Sequence, residues 1–135
     1  MGLDITQRER EGIVILDLDG RLTVGQEAGA LREAVLKLST EGRNNVVLNL
    51  EKVEYIDSTG LGGLVICFTT LKRGGGALKL LNLNRRNVEL LVLTKLQTVF
   101  EVFNDEQDSV NSFFPGREIK RFDILAFVQQ SRKEE

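Results

Sequence analysis

Short apolar runs alternate with helix-periodic segments along this chain, and this alternation restricts its fold more than any other feature. The runs are rich in Val, Ile and Leu, as is typical of strands that are buried on both faces of a sheet. The strand-like runs are residues 13–18, 45–50, 77–83 and 100–103, and the helix-periodic segments are residues 28–38, 61–72, 86–96 and 104–113. Strands that alternate with helices predict βαβ units and a mainly parallel sheet.

Residues 3–10 alternate weakly and form one further predicted strand. A tight charged turn joins this strand to the run 13–18, so the two are predicted to pair in antiparallel fashion. The pair Asp19-Gly20 is a turn signal that predicts the end of the second strand. The predicted fold class is therefore α/β, with a mixed, mainly parallel sheet of four or five strands that is covered by helices.

The composition excludes several classes of function. The chain has 135 residues, which suits one domain, and a net charge of -2, which gives no argument for nucleic acid or membrane as a partner. It contains no histidine, and triad hydrolases and most zinc sites need one. The single Cys67 excludes an internal disulfide. We therefore predict no catalytic residue, no metal and no cofactor, and the absence of a signal peptide or membrane span predicts a cytoplasmic protein.

The segment Phe114-Pro115-Gly116 interrupts the alternation. Beyond it, apolar residues recur at roughly helical spacing between charged ones, up to Val128. The sequence thus predicts a domain over residues 3–113 and a C-terminal extension, predicted to be helical, over residues 114–135. This extension could pack on the body of the domain or on a second subunit.

The run Asp57-Ser58-Thr59 stands between a buried strand and an apolar helix. This order places the three residues at the first turn of that helix, where backbone N–H groups lack partners and the helix dipole is positive. Ser58 can be interpreted as a helix N-cap, a position that Asp57 also suits. It can also be interpreted as a phosphoacceptor, because a helix N-terminus tolerates a phosphate well, and the two interpretations are compatible.

The helix after Ser58 is apolar on more than one face. Its core stripe includes Leu61 and Leu64, whereas Gly62, Gly63 and Ile66 lie largely off that stripe. Each glycine weakens a helix by roughly 1 kcal/mol relative to alanine, so close approach of another backbone is expected there. That backbone could belong to a neighbouring element of the fold or to a partner protein.

The stretch Tyr55-Ile56-Asp57-Ser58-Thr59-Gly60-Leu61-Gly62, set between a strand and an apolar helix, resembles the STAS domain family. More closely, it is similar to the bacterial anti-sigma factor antagonists. Asp19-Gly20-Arg21-Leu22 and the C-terminal stretch from Leu93 to Phe103 also match the family. The resemblance covers about residues 3–113, which it identifies as a STAS domain, and leaves residues 114–135 as a departure.

The resemblance implies a switch between protein partners. In that family the unmodified protein binds an anti-sigma factor that is also a serine kinase, and this binding frees a sigma factor. The kinase then phosphorylates the serine that corresponds to Ser58 and binding ends, until a serine phosphatase removes the phosphate. The implied docking surface consists of Asp57, Ser58, Thr59, Gly60, Gly62, Gly63 and Ile66. The extension could add homodimerisation or cover part of that surface.

Two other functions stay open from the residues. One is a scaffold or assembly module in which Ser58 is only a helix N-cap and the extension mediates oligomerisation. The other is a STAS domain that binds a small anion at the N-terminus of the helix. An enzyme is the least expected function, since the sequence offers neither histidine nor a cluster of catalytic groups.

Overall fold

The apolar runs form one five-stranded sheet with the strand order β1-β2-β3-β4-β5. The computed structural model describes residues 2–134, without the side chains of residues 26–28 and 130–134. Strands β1 and β2 pair antiparallel, and the other neighbours pair in parallel. The strands are Leu3–Arg10 (β1), Ile13–Leu22 (β2), Asn45–Ile56 (β3), Ala77–Leu81 (β4) and Glu101–Phe103 (β5). The predicted mixed, mainly parallel sheet is confirmed.

Three helices connect the parallel strands, and two more follow β5. The connecting helices are Gln26–Thr40 (α1), Ser58–Arg73 (α2) and Arg85–Leu93 (α3), with a 3₁₀ turn over Leu96–Thr98 after α3. The helices after β5 are Glu106–Asn111 (α4) and Ile124–Glu134 (α5). Because successive parallel strands lie side by side and crossovers are right-handed, α1, α2 and α3 lie on the same face of the sheet. None of the helices within residues 2–134 is both long and apolar enough to cross a membrane.

Each face of the sheet carries its own apolar cluster. The larger cluster packs the inner sides of α1, α2, α3 and α5 against the sheet. On the opposite face, Ile15, Val47 and Phe103 are fully buried and pack with Val110 of α4 and with Phe113. The central strands are thus buried on both faces, which explains their continuous apolar sequences.

The predicted end of β2 at Asp19-Gly20 is wrong, because the strand continues to Leu22. Gly20 pairs with Val53 of β3 and has a positive φ of 133°. A Cβ at this position would overlap the backbone of Gly2, whose carbonyl carbon would lie 3.2 Å away. Gly20 therefore permits a close backbone approach within the sheet and does not mark a turn.

A cluster of charged side chains links the first two strands to α4. Arg8 donates a 2.7 Å hydrogen bond from Nε to Asp17 Oδ2, and its guanidinium also binds the carboxylate of Glu106. Arg10 donates a further bond, of 2.6 Å, to Glu106 Oε2. The hydrogen bonds from Arg8 hold the pKa of Asp17 and that of Glu106 below their usual values, because they stabilise the charged carboxylates.

The chain after Phe113 passes from one face of the sheet to the other. Phe114 and Ile119 pack on the cluster that includes α4. The Phe122 N–H then donates a 3.3 Å bond to the Val102 carbonyl of the edge strand β5, and Ile124 and Val128 of α5 are buried in the larger cluster. These contacts cover the β5 edge, which would otherwise offer unpaired backbone groups. Residue 135 of the predicted extension lies outside the described residues.

Candidate functional site at the N-terminus of α2

Asp57 fixes the start of α2 and ties it to the loop before α1. Its Oδ1 accepts a 2.7 Å hydrogen bond from the Gly60 N–H, which makes Asp57 the N-cap of the helix. Its Oδ2 accepts a 3.0 Å bond from the Val24 N–H. The Asp57 N–H in turn donates to the Leu22 carbonyl at 3.2 Å. These bonds join the carboxyl ends of β2 and β3, the edge at which parallel sheets usually place their functional sites.

Ser58 is the first residue of α2, and the interpretation of Ser58 as the N-cap is wrong. The Asp57 carboxylate already receives the helix N–H that a cap must satisfy. Ser58 is exposed, and no side chain within the described residues makes a hydrogen bond to its hydroxyl. The hydroxyl therefore does not cap α2, and it is accessible to covalent modification.

Gly60 is buried where α2 meets the end of β2. A Cβ at this position would overlap the carbonyl oxygen of Leu22 and lie 2.7 Å from its carbonyl carbon. Another backbone thus approaches α2 closely at Gly60, within the fold, and not at Gly62, where the sequence predicted such an approach. At Gly62, by contrast, a Cβ would meet nothing within 4 Å, so no element among the described residues accounts for that glycine.

The predicted docking residues divide into an exposed and a buried set. Ser58, Gly62 and Ile66 are exposed and follow one another at a spacing of four residues, so they form one row along α2. Ile66 is 47% exposed although it is a large apolar residue. Thr59 is exposed beside the row, and Asp57 is half-buried at its start. Gly60 and Gly63 are buried, which leaves them packing roles and removes them from the accessible surface.

Helix α3 borders the other side of Ser58 and is pinned to the end of β3. The Asn84 side chain donates to the carbonyls of Val53 and Glu54 at 3.3 and 3.1 Å, and the Asn87 side chain donates to Val53 at 3.1 Å. Asn84 also caps α3 through the Asn87 N–H at 2.8 Å. These bonds fix the first turn of α3 beside the residues that lead into α2.

A groove of about 330 Å³ lies between α3 and the start of α2. Ser58 lines it on one side, and Arg86, Leu90 and Leu93 line it on the other. Leu93 is 77% exposed. The Arg86 guanidinium stacks over the Tyr55 ring, with its central carbon 4.3 Å from the ring centroid. The sequence did not indicate that α3 borders Ser58, because the groove residues of α3 are 28 or more positions away from Ser58 along the chain.

Other chemistry finds no support near α2. Cys67 is buried, and this burial raises the pKa of its thiol to about 12, so the nucleophilic thiolate is absent at neutral pH. Among the side chains that the structure describes, no group of three or more Cys, Asp or Glu residues is placed to hold a metal ion. The accessible features of the site are therefore a serine hydroxyl, an apolar row and an arginine, which suit recognition.

Comparison with known proteins gives a consistent result. The model of the STAS domain family matches residues 4–109. An anti-sigma-B factor antagonist from Bacillus subtilis (strain 168) is 32% identical over 102 residues, covering 76% of this chain and 92% of that protein.

Two solved structures share the fold. An anti-sigma factor antagonist from Mycobacterium paratuberculosis has a TM-score of 0.73 at 19% identity, covering 83% of this chain and 94% of that one. The Bacillus cell fate determinant SpoIIAA in its phosphorylated form has a TM-score of 0.63 at 17% identity, covering 81% of this chain and 98% of that one.

Proposed function

We propose that this chain, which belongs to the STAS domain family, acts as an anti-sigma factor antagonist that is switched off by phosphorylation of Ser58. In the unmodified state it binds an anti-sigma factor that is also a serine kinase, and a sigma factor is thereby released. The kinase transfers phosphate to the Ser58 hydroxyl, and the complex dissociates. A serine phosphatase resets the chain. The resemblance of the sequence and the names of its relatives support this role.

The observation that carries the proposal is that Asp57, and not Ser58, caps α2. Ser58 can therefore be modified without loss of the cap. The exposed hydroxyl stands on the first turn of α2, where the helix dipole favours negative charge. A phosphate there changes the surface by about -1.5 to -2 charges and need not unfold the domain.

The proposed docking surface is the exposed row of Ser58, Gly62 and Ile66 with Thr59 beside it. Gly62 has free space around its Cα, so a partner backbone can approach α2 closely at this point. The apolar Ile66 side chain supplies area to bury. A dianion on Ser58 would have to be desolvated next to Asp57, and an unpaired buried charge costs about 2 to 5 kcal/mol. A loss of affinity of roughly 30-fold or more follows.

Phosphosite mapping tests the proposal directly. The purified chain is incubated with ATP and an extract of its own cells, and added phosphate is located by peptide mass spectrometry. We expect phosphate on Ser58, none at this position in Ser58→Ala, and an unchanged result in Thr59→Ala, which removes the neighbouring exposed hydroxyl. Phosphate found only elsewhere, despite active kinases in the extract, would contradict the switch and favour the assembly role.

The same variants test the binding step. Ser58→Ala should retain the unmodified surface and capture the kinase from the extract, whereas Ser58→Asp should capture less of it. If both variants bind the kinase as the unsubstituted chain does, then Ser58 does not control binding. Thr40→Ala serves as the matched control for binding, because it removes an exposed hydroxyl at the end of α1, outside the proposed docking surface.

Several finer assignments belong to this proposal. The STAS domain occupies residues 3–113 and the C-terminal extension residues 114–135, in a cytoplasmic protein. The extension offers little apolar surface for homodimerisation. Ile124 and Val128 pack within the chain, and among the described side chains of α5 the exposed large apolar one is Leu125. Size-exclusion chromatography at several concentrations tests homodimerisation, and a mass that stays monomeric would argue against a dimer.

A further inference from the structure

We propose that Arg86 binds the phosphate on Ser58 within the same chain, so that phosphorylation closes the groove between α2 and α3. This inference rests on the proposed function and names how the modified site is held. Ser58 and Arg86 line opposite sides of one groove of about 330 Å³. Both are exposed, so a phosphate and a guanidinium can meet there without either being carried into the core.

Arg86 is placed for this role by backbone anchors. Asn84 and Asn87 pin the first turn of α3 to the carbonyls of Val53 and Glu54, so the base of the Arg86 side chain cannot drift away from the start of α2. The side chain is long and flexible, and its planar guanidinium presents a fork of donors that matches two phosphate oxygens. A fixed base with a mobile charged end suits capture of a newly attached group.

The present contact of Arg86 is one that a phosphate can displace. Its guanidinium stacks on the Tyr55 ring, and no carboxylate within the described residues forms an ion pair with it. An exposed contact between a cation and an aromatic face is weaker than a charge-assisted fork to a dianion. Asp57 and Glu89 also line the groove and oppose a phosphate. Asp57 is held by two backbone N–H groups, and Glu89 is paired with Arg85 at 3.3 Å.

This contact predicts that the Arg86 side chain has two alternative positions. Without phosphate, Arg86 lies on Tyr55 and leaves Leu90 and Leu93 open along the groove. With phosphate, Arg86 turns toward residue 58 and bridges α3 to α2 across the groove entrance. The modification would then act twice on a partner, once by its charge and once by closing the apolar surface beside α2.

The test uses the full chain with phosphoserine introduced at position 58 during translation, so it needs no kinase. The phosphate is titrated by ³¹P NMR, and a free phosphoserine titrates at about pH 6. An adjacent guanidinium favours the dianion, so the midpoint should lie about 0.5 pH unit lower in the unsubstituted chain than in Arg86→Gln. Arg86→Lys, which keeps the charge and loses the fork, should fall between them.

Lys95→Gln is the matched control, because it removes one positive charge from an exposed position just after α3 that does not line the groove, and it should leave the midpoint at the value of the unsubstituted chain. Tyr55 gives an independent signal, since it is the only tyrosine and the chain has no tryptophan. Its fluorescence should change on phosphorylation in the unsubstituted chain and stay nearly constant in Arg86→Gln.

Equal titration midpoints in the unsubstituted chain and in Arg86→Gln would overturn the inference, as would a shift in Lys95→Gln as large as that in Arg86→Gln. Circular dichroism confirms that the variants are folded, and Arg86→Lys provides the comparison if Arg86→Gln is not. A low midpoint in the unsubstituted chain together with no phosphate transfer to Ser58 in the extract would reject the proposed switch and support the contact. Phosphate transfer to Ser58 together with equal midpoints would support the proposed switch and reject the contact between Arg86 and the phosphate.

Discussion

Gly60 and Gly62 lie two residues apart in α2, and replacing each with alanine should have opposite effects on the free energy of unfolding. At Gly62 the new methyl group meets nothing within 4 Å. Gly62→Ala therefore gains only the helix propensity of alanine, about 0.8 kcal/mol. At Gly60 the methyl group would lie 2.7 Å from the Leu22 carbonyl carbon, so the backbone must move by about 1 Å to restore normal contact.

That movement has two costs. Overpacking a close contact costs about 1 to 3 kcal/mol. The Leu22 carbonyl also accepts the Asp57 N–H at 3.2 Å, and losing this bond costs about 1 kcal/mol. After the gain in helix propensity, Gly60→Ala should destabilise the chain by about 2 kcal/mol.

Urea unfolding followed by far-UV circular dichroism measures both changes. With a slope of about 2 kcal/mol per molar urea, the midpoint should fall by about 1 M for Gly60→Ala and rise by about 0.4 M for Gly62→Ala. A Gly60→Ala chain as stable as the unsubstituted one would refute the close approach of β2 and α2. A destabilised Gly62→Ala chain would show that some part of the chain covers that glycine. Despite its higher stability, Gly62→Ala should bind the partner kinase more weakly.

Three further perturbations test the contacts around this site and fold. Asp57→Ala loses both side-chain hydrogen bonds of the carboxylate and should lower the free energy of unfolding by about 2 kcal/mol in thermal melts, whereas Asp57→Asn keeps one acceptor and should lose about 1 kcal/mol. Arg8→Met should lower the free energy of unfolding at pH 7, and the loss should become smaller as pH falls. The lowered pKa values of Asp17 and Glu106 contribute stability that disappears when these carboxylates are protonated in acid, with or without Arg8. A loss in urea titrations that does not depend on pH would contradict this. A chain that ends at Phe113 exposes the core beneath α5 and should lose about 4 kcal/mol or more, and an unchanged melting temperature would show that the extension does not stabilise the domain.

The periodicity of the sequence was sufficient to predict the strands and the helix that begins near Ser58, because burial on both faces leaves a continuous apolar run. It could not decide which of Asp57 and Ser58 caps α2, since both residue types suit that position and only the direction of the side chain separates them. Nor could the periodicity show that another backbone approaches Gly60 and not Gly62. The difference between them is the position of Leu22, which is 38 residues earlier in the chain.

Contacts between distant segments account for the remaining differences. Asp19-Gly20 has the composition of a turn, and the close approach of Gly2 that explains Gly20 depends on the pairing of β1 with β2. The stacking of Arg86 on Tyr55 joins residues that are 31 positions apart. No local pattern reports such a pair, because periodicity describes one element at a time.

The two hydrogen bonds of the Asp57 carboxylate have a consequence for local opening of the fold. One carboxylate holds both the Val24 amide and the Gly60 amide, which belong to segments that follow different strands. The start of α2 and the loop before α1 therefore cannot fray independently, and they should open as one cooperative unit. Amide hydrogen exchange at Val24 and Gly60 should share a single opening free energy, and a partner that grips either segment would slow exchange in both.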